Sequence, residues 1–503
     1  NVWTGDSSDS WTEAGNWEEA YVPGKSVLIQ SGSNNYPLIE DDITVNNLTI
    51  EAGAVLTQMD GIITVKGDFD LLSSEVTNAS YLPKGGSLTV TGKTRVHQYI
   101  SDEKGLVSYS MSSSTDYTDN SNIGTSYKIQ YYENPKDSWT ILNTTMQPGI
   151  GYSIYSLNNL VFSGNINRTP IEVPLIRTNG KGYGWNLLGN PYTASINWAA
   201  LVDTTKIENS YWLWHPGSGT YGAYNENAGV GTGPKGVIPS HHAFFVKLKT
   251  THSAGSFIFS PSATVANTEN YLKSSSYNKP SHIKISADNT KVSDYVAIAF
   301  VQDASVGLDK FDTEKFFGNG YKSNPFQIFT VEGSMKLSIN SLPDTGEETT
   351  VKLGYRSTEI GSYTIHLKEY HSEHSEVLLT DTKEKTTVDL LNVGAYTFSV
   401  DRKETNTTRF TLTFPANIPT SAEKIVSTDN TNIYLKDGDV IVDVRGEAES
   451  LTYDMVGVSG NRVARGNLFP GVNNLGKFSS GLYIINTRNE EGTIVSKKLL
   501  VTH

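Results

Sequence analysis

Helical periodicity is nearly missing from this chain, and that constrains its fold more than any other feature. Short runs of alternating apolar and polar residues dominate instead, bounded by Gly, Asn, Asp and Pro. Ser87-Leu88-Thr89-Val90-Thr91, Lys336-Leu337-Ser338-Ile339, Ala395-Tyr396-Thr397-Phe398-Ser399-Val400 and Arg409-Phe410-Thr411-Leu412-Thr413-Phe414 are examples. A pleated strand sends residues i and i+2 to one face, so each run offers one β-branched or aromatic face for burial. In Lys436-Asp437-Gly438-Asp439 the Asp-Gly pair tolerates the positive φ of a tight hairpin. The expectation is an all-β protein built of several sandwich-like or solenoid-like modules in tandem.

At 503 residues the chain is too long for one ordinary core. Charged residues make up only 18%, and Ser, Thr, Asn and 44 Gly carry the polar surface, which suits strands and turns better than salt-bridged helices. The 10% of aromatic residues argue against a disordered chain. A net charge of −13 repels a phosphate backbone, so nucleic acid is not an expected partner. No apolar run is long enough for a membrane-spanning helix. Cysteine is absent, which excludes disulfides, thiolate metal sites and cysteine nucleophiles. The opening Asn1-Val2-Trp3, without Met or an apolar leader, reads as a mature product whose export signal has been cut off, or as a trimmed chain.

Residues 1–93 hold closely spaced short strands and suggest a small β-solenoid or an open sandwich. Trp3, Trp11 and Trp17 stand where a solenoid end needs an apolar cap; a sugar-stacking platform is the alternative. Residues 94–250 look internally duplicated. Gly105–Ser108, Tyr127–Pro135, Trp139 and Pro148–Ile154 match Gly184–Leu187, Tyr211–Pro216, Tyr221 and Ile238–Val246 in order and chemistry. The offset grows from 79 residues (Gly105 to Gly184) to 91 (Pro148 to Pro239), which places an insertion near Gly-rich Asn227–Gly236. Residues 251–280 contain two Ser-rich passages and read as a linker region, the second being Ser274–Pro280. Residues 281–416 read as a two-sheet sandwich, and residues 417–503, after the Pro415–Thr420 hinge, as one more small β-domain.

Signatures of catalysis are missing. There is no Gly-x-Ser-x-Gly elbow; Gly457-Val458-Ser459-Gly460 has the wrong spacing and reads as a turn. Gly229-Val230-Gly231-Thr232-Gly233 lacks the strand and helix of a phosphate loop and reads as a surface loop. No His-Glu-x-x-His motif occurs. His366, His371 and His374, with Glu369, Glu373 and Glu376, would bind a transition metal only if they converge; a solvated turn is the simpler reading. His241 and His242 are adjacent, point to opposite faces of a strand, and one is expected to face solvent. Asp303, Asp309 and Asp312 around Gly307 are candidate Ca²⁺ ligands or ordinary turn carboxylates. Trp212, Trp214 and Tyr221 are a candidate aromatic binding surface, with burial or a domain contact as the alternative. A glycosidase would need two facing carboxylates, and nothing nominates a pair among the 53 acidic residues.

The last 85 or so residues carry a more specific pattern. Leu451–Gly457 leads into a Gly turn, Arg462-Val463-Ala464 follows, then Ser480-Gly481-Leu482-Tyr483-Ile484-Ile485, and last Ser496-Lys497-Lys498-Leu499-Leu500-Val501. This resembles the C-terminal sorting domain of cargo of the type IX secretion system of Bacteroidota. Gly481 and Tyr483 fill its Gly-x-Tyr strand; Lys497, Lys498, Leu499 and Val501 fill its final strand. The resemblance implies an Ig-like fold, a secretion translocon as partner and an extracellular or outer-surface location. Lys497 and Lys498 would guard a sheet edge or touch the export machinery. Trp3-Thr4-Gly5, Gly184–Pro191 and Gly307–Asp312 are similar to phrases in modular surface proteins of the same system. Asp203-Thr204-Thr205 resembles a Bacteroidota O-glycosylation acceptor, with Thr204 as the acceptor. The function expected is non-enzymatic: adhesion or assembly into a surface layer or filament. The alternative is a carbohydrate-binding or polysaccharide-degrading protein with accessory β-modules.

Overall fold

The structure is a computed structural model. It describes residues 1–19, 21–100, 107–116, 128–156, 159–178, 183–232, 236–267, 281–289, 292–318, 324–416, 431–436, 438–444, 451–457, 461–488 and 494–501. Among these the fold is all-β; helical turns are confined to Ala14–Asn16, Asn134–Lys136, Pro261–Ala263 and Leu390–Val393. No helix among the described residues is long and apolar enough to cross a membrane. The chain forms two compact units, Asn1–Asn417 and Ile418–His503.

The first unit begins as a solenoid with three parallel walls. Val27–Ile29, Leu48–Ile50, Phe69–Leu71 and Thr94–Gln98 stack in one wall. Ile43–Val45, Ile62–Val65 and Ser87–Val90 stack in the second. Leu38–Ile39, Val55–Gln58 and Ser80–Pro83 make the third. Thr49 lies opposite both Leu28 and Asp70, so one turn of the coil takes 21 residues there. Most strands are three or four residues long, and alternation sends Val27, Ile29, Leu48, Ile50, Phe69 and Leu71 into a shared interior. One end is closed by Trp3, Trp11 and Trp17, whose ring centroids lie 4.8 to 5.8 Å apart. All three are at most 6% exposed, so they cap the coil and offer no face to a sugar. At the other end Thr94–Gln98, placed by sequence in the next module, is the last rung; it pairs antiparallel with Leu160–Ser163.

The duplication is visible in topology. Val107–Met111, Ile129–Glu133, Ser138–Ile141 and Tyr152–Ser156 form a sheet in spatial order first, fourth, second, third. Trp185–Gly189, Ser210–His215, Thr220–Asn225 and Ala243–Lys247 repeat that order. The copies touch reciprocally: Met111 bridges His242, and Ile150 bridges Leu188. Glycine makes this approach possible. A Cβ on Gly189 would stand 2.3 Å from the Ser112 Cβ, and one on Gly151 would stand 2.5 Å from the Leu188 carbonyl oxygen.

Two expectations need correction here. Gly229–Thr232 is no surface loop: Val230–Gly231 adds a fifth strand to the second copy, and Val230 is fully buried. Gly233 lies outside the described residues. Residues 251–267 are no linker either. Ala254–Phe259 pairs along its whole length with Ile171–Ile176, and Thr264–Val265 pairs with Ser195–Asn197. Asn267 then ties the solenoid to the second copy: its side-chain amide donates to the Ala79 and Thr193 carbonyls, and its backbone N–H to Ser80 Oγ. Ser274–Pro280 lies outside the described residues.

From Ser281 to Phe414 the chain makes one continuous sheet rather than two. Ten strands run from Thr386–Asp389 through Leu378–Asp381, Glu404–Phe414, Thr349–Ser357, Phe326–Glu332, Met335–Pro343, Ser293–Val301, Ser281–Asp288 and Gly361–His371 to Ala395–Val400. Thr313–Glu314 adds to Met335–Pro343. The sheet rolls over so that its last strand, Ala395–Val400, packs against Glu404–Phe414, the third from the other end. Phe398 and Phe410 lie 4.8 Å apart, and Arg409 Nη1 donates to the Ser399 carbonyl. Ile283, Ile298, Tyr355, Tyr363 and Leu412 fill the interior.

In the second unit Thr431–Lys436, Asp439–Val444 and Gly471–Lys477 form one sheet. Arg462–Leu468, Leu451–Gly457, Gly481–Arg488 and Ile494–Val501 form the other. Lys436 pairs with Asp439, and Gly438 takes φ +84° in the two-residue turn. Val440, Met455, Ile485 and Val501 form its core.

Candidate functional site

The residues of the Gly-x-Tyr and Lys-Lys-Leu-Leu-Val pattern lie together on one antiparallel strand pair. Gly481 stands opposite Val501, Tyr483 opposite Leu499, Ile485 opposite Lys497 and Ile484 opposite Lys498. Strand parity sorts them. Tyr483 and Val501 turn inward, at 9% and 0% exposure, while Lys498 faces solvent and Lys497 is partly buried. The Tyr483 hydroxyl donates to the Ser479 carbonyl at 2.9 Å, fixing the start of the strand. On the outer face Leu482 and Leu500 form an exposed cross-strand apolar pair. Among the described residues Ile494–Val501 is paired with Gly481–Arg488 on one side only, which makes it an edge of that sheet. Val458, Ser459 and Gly460 lie outside the described residues.

The aromatic candidates do not form an exposed surface. Trp212 and Tyr221 are 1% and 6% exposed and pack with Trp185, Phe245 and Phe316; Trp214 is half-buried over Tyr221. This cluster joins the second β-copy to the outer face of the large sheet, where Ala297, Ala299 and Ile339 supply small or apolar contacts. Trp212 Nε1 donates to the Glu314 carbonyl at 3.0 Å. The face that parity left unassigned is an internal contact.

Asp303, Asp309 and Asp312 do not converge. Asp303 is exposed. Asp309 accepts from the N–H groups of Ser305 and Phe311, and Asp312 from those of Asp309 and Ser341. Asp309 therefore holds its own turn, and Asp312 ties that turn to the strand Met335–Pro343. Burial pushes Asp312 up to about 6. Thr204 is exposed beside Asp203, which accepts from the Thr205 backbone and hydroxyl.

The histidines separate. His374 is 5% exposed, lies against Phe300 and Phe414, and belongs to the core rather than to a solvated turn. His366 approaches Asp288 at 3.2 Å. His241 is buried at φ +60°, stacks on Phe162, and is pushed by burial down to about 3. His242 is partly buried, with Nδ1 3.0 Å from the Ser240 carbonyl. His371 and Glu369 instead meet His282, a residue the sequence did not single out.

One groove lies on the flank of the solenoid, about 610 Å³, lined by Trp11, Trp17, Tyr21, Glu40, Asp41 and Asp42 among others. An adjoining one of about 680 Å³ adds Asp60, Gly61 and Ser87. Its acidic residues sit at successive corners of the coil. Nothing in the local sequence marks them, because only the stacking of turns brings residues about 20 apart side by side.

The molecule is thus a multi-module all-β protein whose first unit is one integrated body. The chain belongs to the family described as "Domain of unknown function (DUF8693)", which matches residues 2–414. That match ends three residues before the boundary of the first compact unit. No curated protein matches the chain.

Proposed function

We propose that this protein is a non-enzymatic, exported surface protein that acts by adhesion or extracellular assembly, with its last unit as the address read by a type IX secretion translocon. One observation carries the reading: the motif residues Gly481, Tyr483, Lys497, Lys498, Leu499 and Val501 gather on the closing antiparallel strand pair of a separate compact unit beyond the matched family region. The edge of a sheet is a place for strand addition, a mode that suits recognition of a folded cargo. Thr204 and Thr205 are exposed beside the partly buried Asp203, as an O-glycosylation acceptor at Thr204 must be. The remaining 417 residues would be the working part.

Export is tested by deleting residues 418–503 and following the chain by immunoblot of cell fractions. Loss from the medium and outer surface, with retention inside the outer membrane, is the expected result; normal surface amounts of the truncated chain would end the address reading. Assembly is tested separately by electron microscopy and light scattering of the purified full chain, and monomers alone at all concentrations would remove it.

A carbohydrate-binding role is the second reading, and the acidic groove on the flank of the solenoid, with Glu40, Asp41 and Asp42 along it, favours it. A glycan array and a reducing-sugar assay without a hit would dismiss it.

A further inference from the structure

We infer that His282, Glu369 and His371 form a binding site for one divalent transition-metal ion, of the zinc type, on the outer face of the large sheet. Their ligand atoms all lie within 4.8 Å of one another. Two neutral imidazoles and a carboxylate, with a fourth position left for water, are a recognised ligand set for zinc.

Backbone geometry brings them together. Ser281–Asp288 pairs antiparallel with Gly361–His371, with His282 opposite His371 and Lys284 opposite Glu369. Simple alternation along Gly361–His371 would put Glu369 and His371 on the side of Tyr363 and Ile365, inside the core. A register shift between Lys284 and Ile285 prevents this. Leu367 pairs with Ile285 and Glu369 with Lys284, so Lys368 is the extra residue of a bulge. Beyond it the parity reverses: Tyr370 packs on the core, and Glu369 and His371 turn outward beside His282.

The distances suit coordination. His282 Nε2 lies 3.4 Å from Glu369 Oε2. Ligands held at about 2.0–2.1 Å in a tetrahedron are themselves roughly 3.3–3.4 Å apart. The His282 and His371 ring centroids are 4.9 Å apart, and His371 is exposed, so a rotamer change can close the third edge. His282 is 2% exposed and supplies a fixed wall; the other two ligands leave the site open to solvent. Glu369 Oε1 accepts from Lys284 Nζ at 3.2 Å, which orients the carboxylate and leaves Oε2 toward His282. The Lys284 charge repels a cation and lowers affinity, while its second contact, over the Tyr295 ring at 5.1 Å, draws it away. A bound ion would clip together two strands through ligands 87 residues apart in sequence, His282 and Glu369.

The test is calorimetric titration of the full chain with zinc chloride after chelator dialysis, on wild type, His371→Gln, Glu369→Gln and His366→Gln. His371 and Glu369 are accessible, so those variants keep the fold. The expected result is one equivalent of zinc on wild type and on His366→Gln, weakened about tenfold or more in the other two, with a zinc-dependent rise in Tm that follows the same pattern. No stoichiometric binding to wild type, or binding by His371→Gln and Glu369→Gln as tight as by wild type, would overturn the assignment. Cobalt(II) absorption gives a second readout: visible d–d bands present in wild type and absent in His371→Gln support it, and identical spectra refute it.

Discussion

At the scale of single residues, buried charges and buried neutral histidines decide how the first unit responds to substitution and acid. Lys315 Nζ lies 2.6 Å from Asp294 Oδ2, and the two side chains are 1% and 2% exposed. Asp294 also accepts from the Ile328 N–H at 2.8 Å. Lys315→Met strands the carboxylate in the interior and should cost about 3–5 kcal/mol in urea unfolding. Adding Asp294→Asn should recover part of that, because Asn keeps an acceptor for Ile328. Burial pushes His241 down to about 3 and His215 to about 4, the latter helped by Lys284 nearby. The folded chain therefore refuses protons that the unfolded chain takes up below about 6.5. Their contribution is complete above that pH and is lost as pH falls toward 4, at up to about 1.4 kcal/mol per unit for each group. Asp312, pushed up to about 6, acts in the opposite sense: the folded state holds its proton first and gains stability as pH drops from 6 to 4. Thermal unfolding between pH 7 and 4.5 should thus become less acid-sensitive in His241→Asn, where Asn tolerates φ +60°, and more acid-sensitive in Asp312→Asn.

At the scale of elements, the solenoid cap and the crossing of the two β-copies are the places where one residue holds many others. Asn16 is fully buried; its Oδ1 accepts from the Ser7 and Ser8 N–H groups, and its Nδ2 donates to Ser8 Oγ and the Ser10 carbonyl. Asn16→Ala removes the acceptor of two partly buried N–H groups and the donor to Ser8 and Ser10, and should cost about 1–2 kcal/mol. Tryptophan fluorescence should report it as an early red shift of the capping rings in urea. Gly189→Ala has no room for its Cβ against Ser112 and the Ile150 carbonyl. It should destabilise by about 1–3 kcal/mol or block folding, whereas Ala at Gly333, where a Cβ meets nothing, should cost only the strain of its φ of +56°. Much of this scale is legible in the chain itself. Alternation located most strands, the Trp3–Trp17 segment reads as a cap, and the paired phrases around Trp185 and Tyr211 disclosed the repeat. The bulge at Lys368 was not legible, because nothing in Lys-Glu-Tyr announces a change of parity. His282 lies 89 residues from His371, so only the register could join them.

At the scale of the whole molecule, the first unit is not a string of independent modules. Residues 254–259 complete a sheet begun at Ile171, and Asn267 holds Ala79 and Thr193 together. A chain ending at residue 250 should therefore fail to fold cooperatively. A chain ending at 416 should retain one sharp calorimetric transition close to that of the same unit in the full protein. Circular dichroism of both would show it, and a well-folded 1–250 fragment would contradict the integration described here.

The sequence by itself determined the all-β class, the capped run of short stacked strands, the internal repeat and the compact last unit, because each rests on local alternation, turn residues and residue size. Tertiary structure alone decided that Trp212 and Tyr221 serve an internal contact, that residues 251–267 are a staple, and that His282 meets Glu369 and His371. Those outcomes depend on which strand lies beside which and on what covers a face. A chain of alternating residues specifies that a face is apolar, but not what will be packed against it.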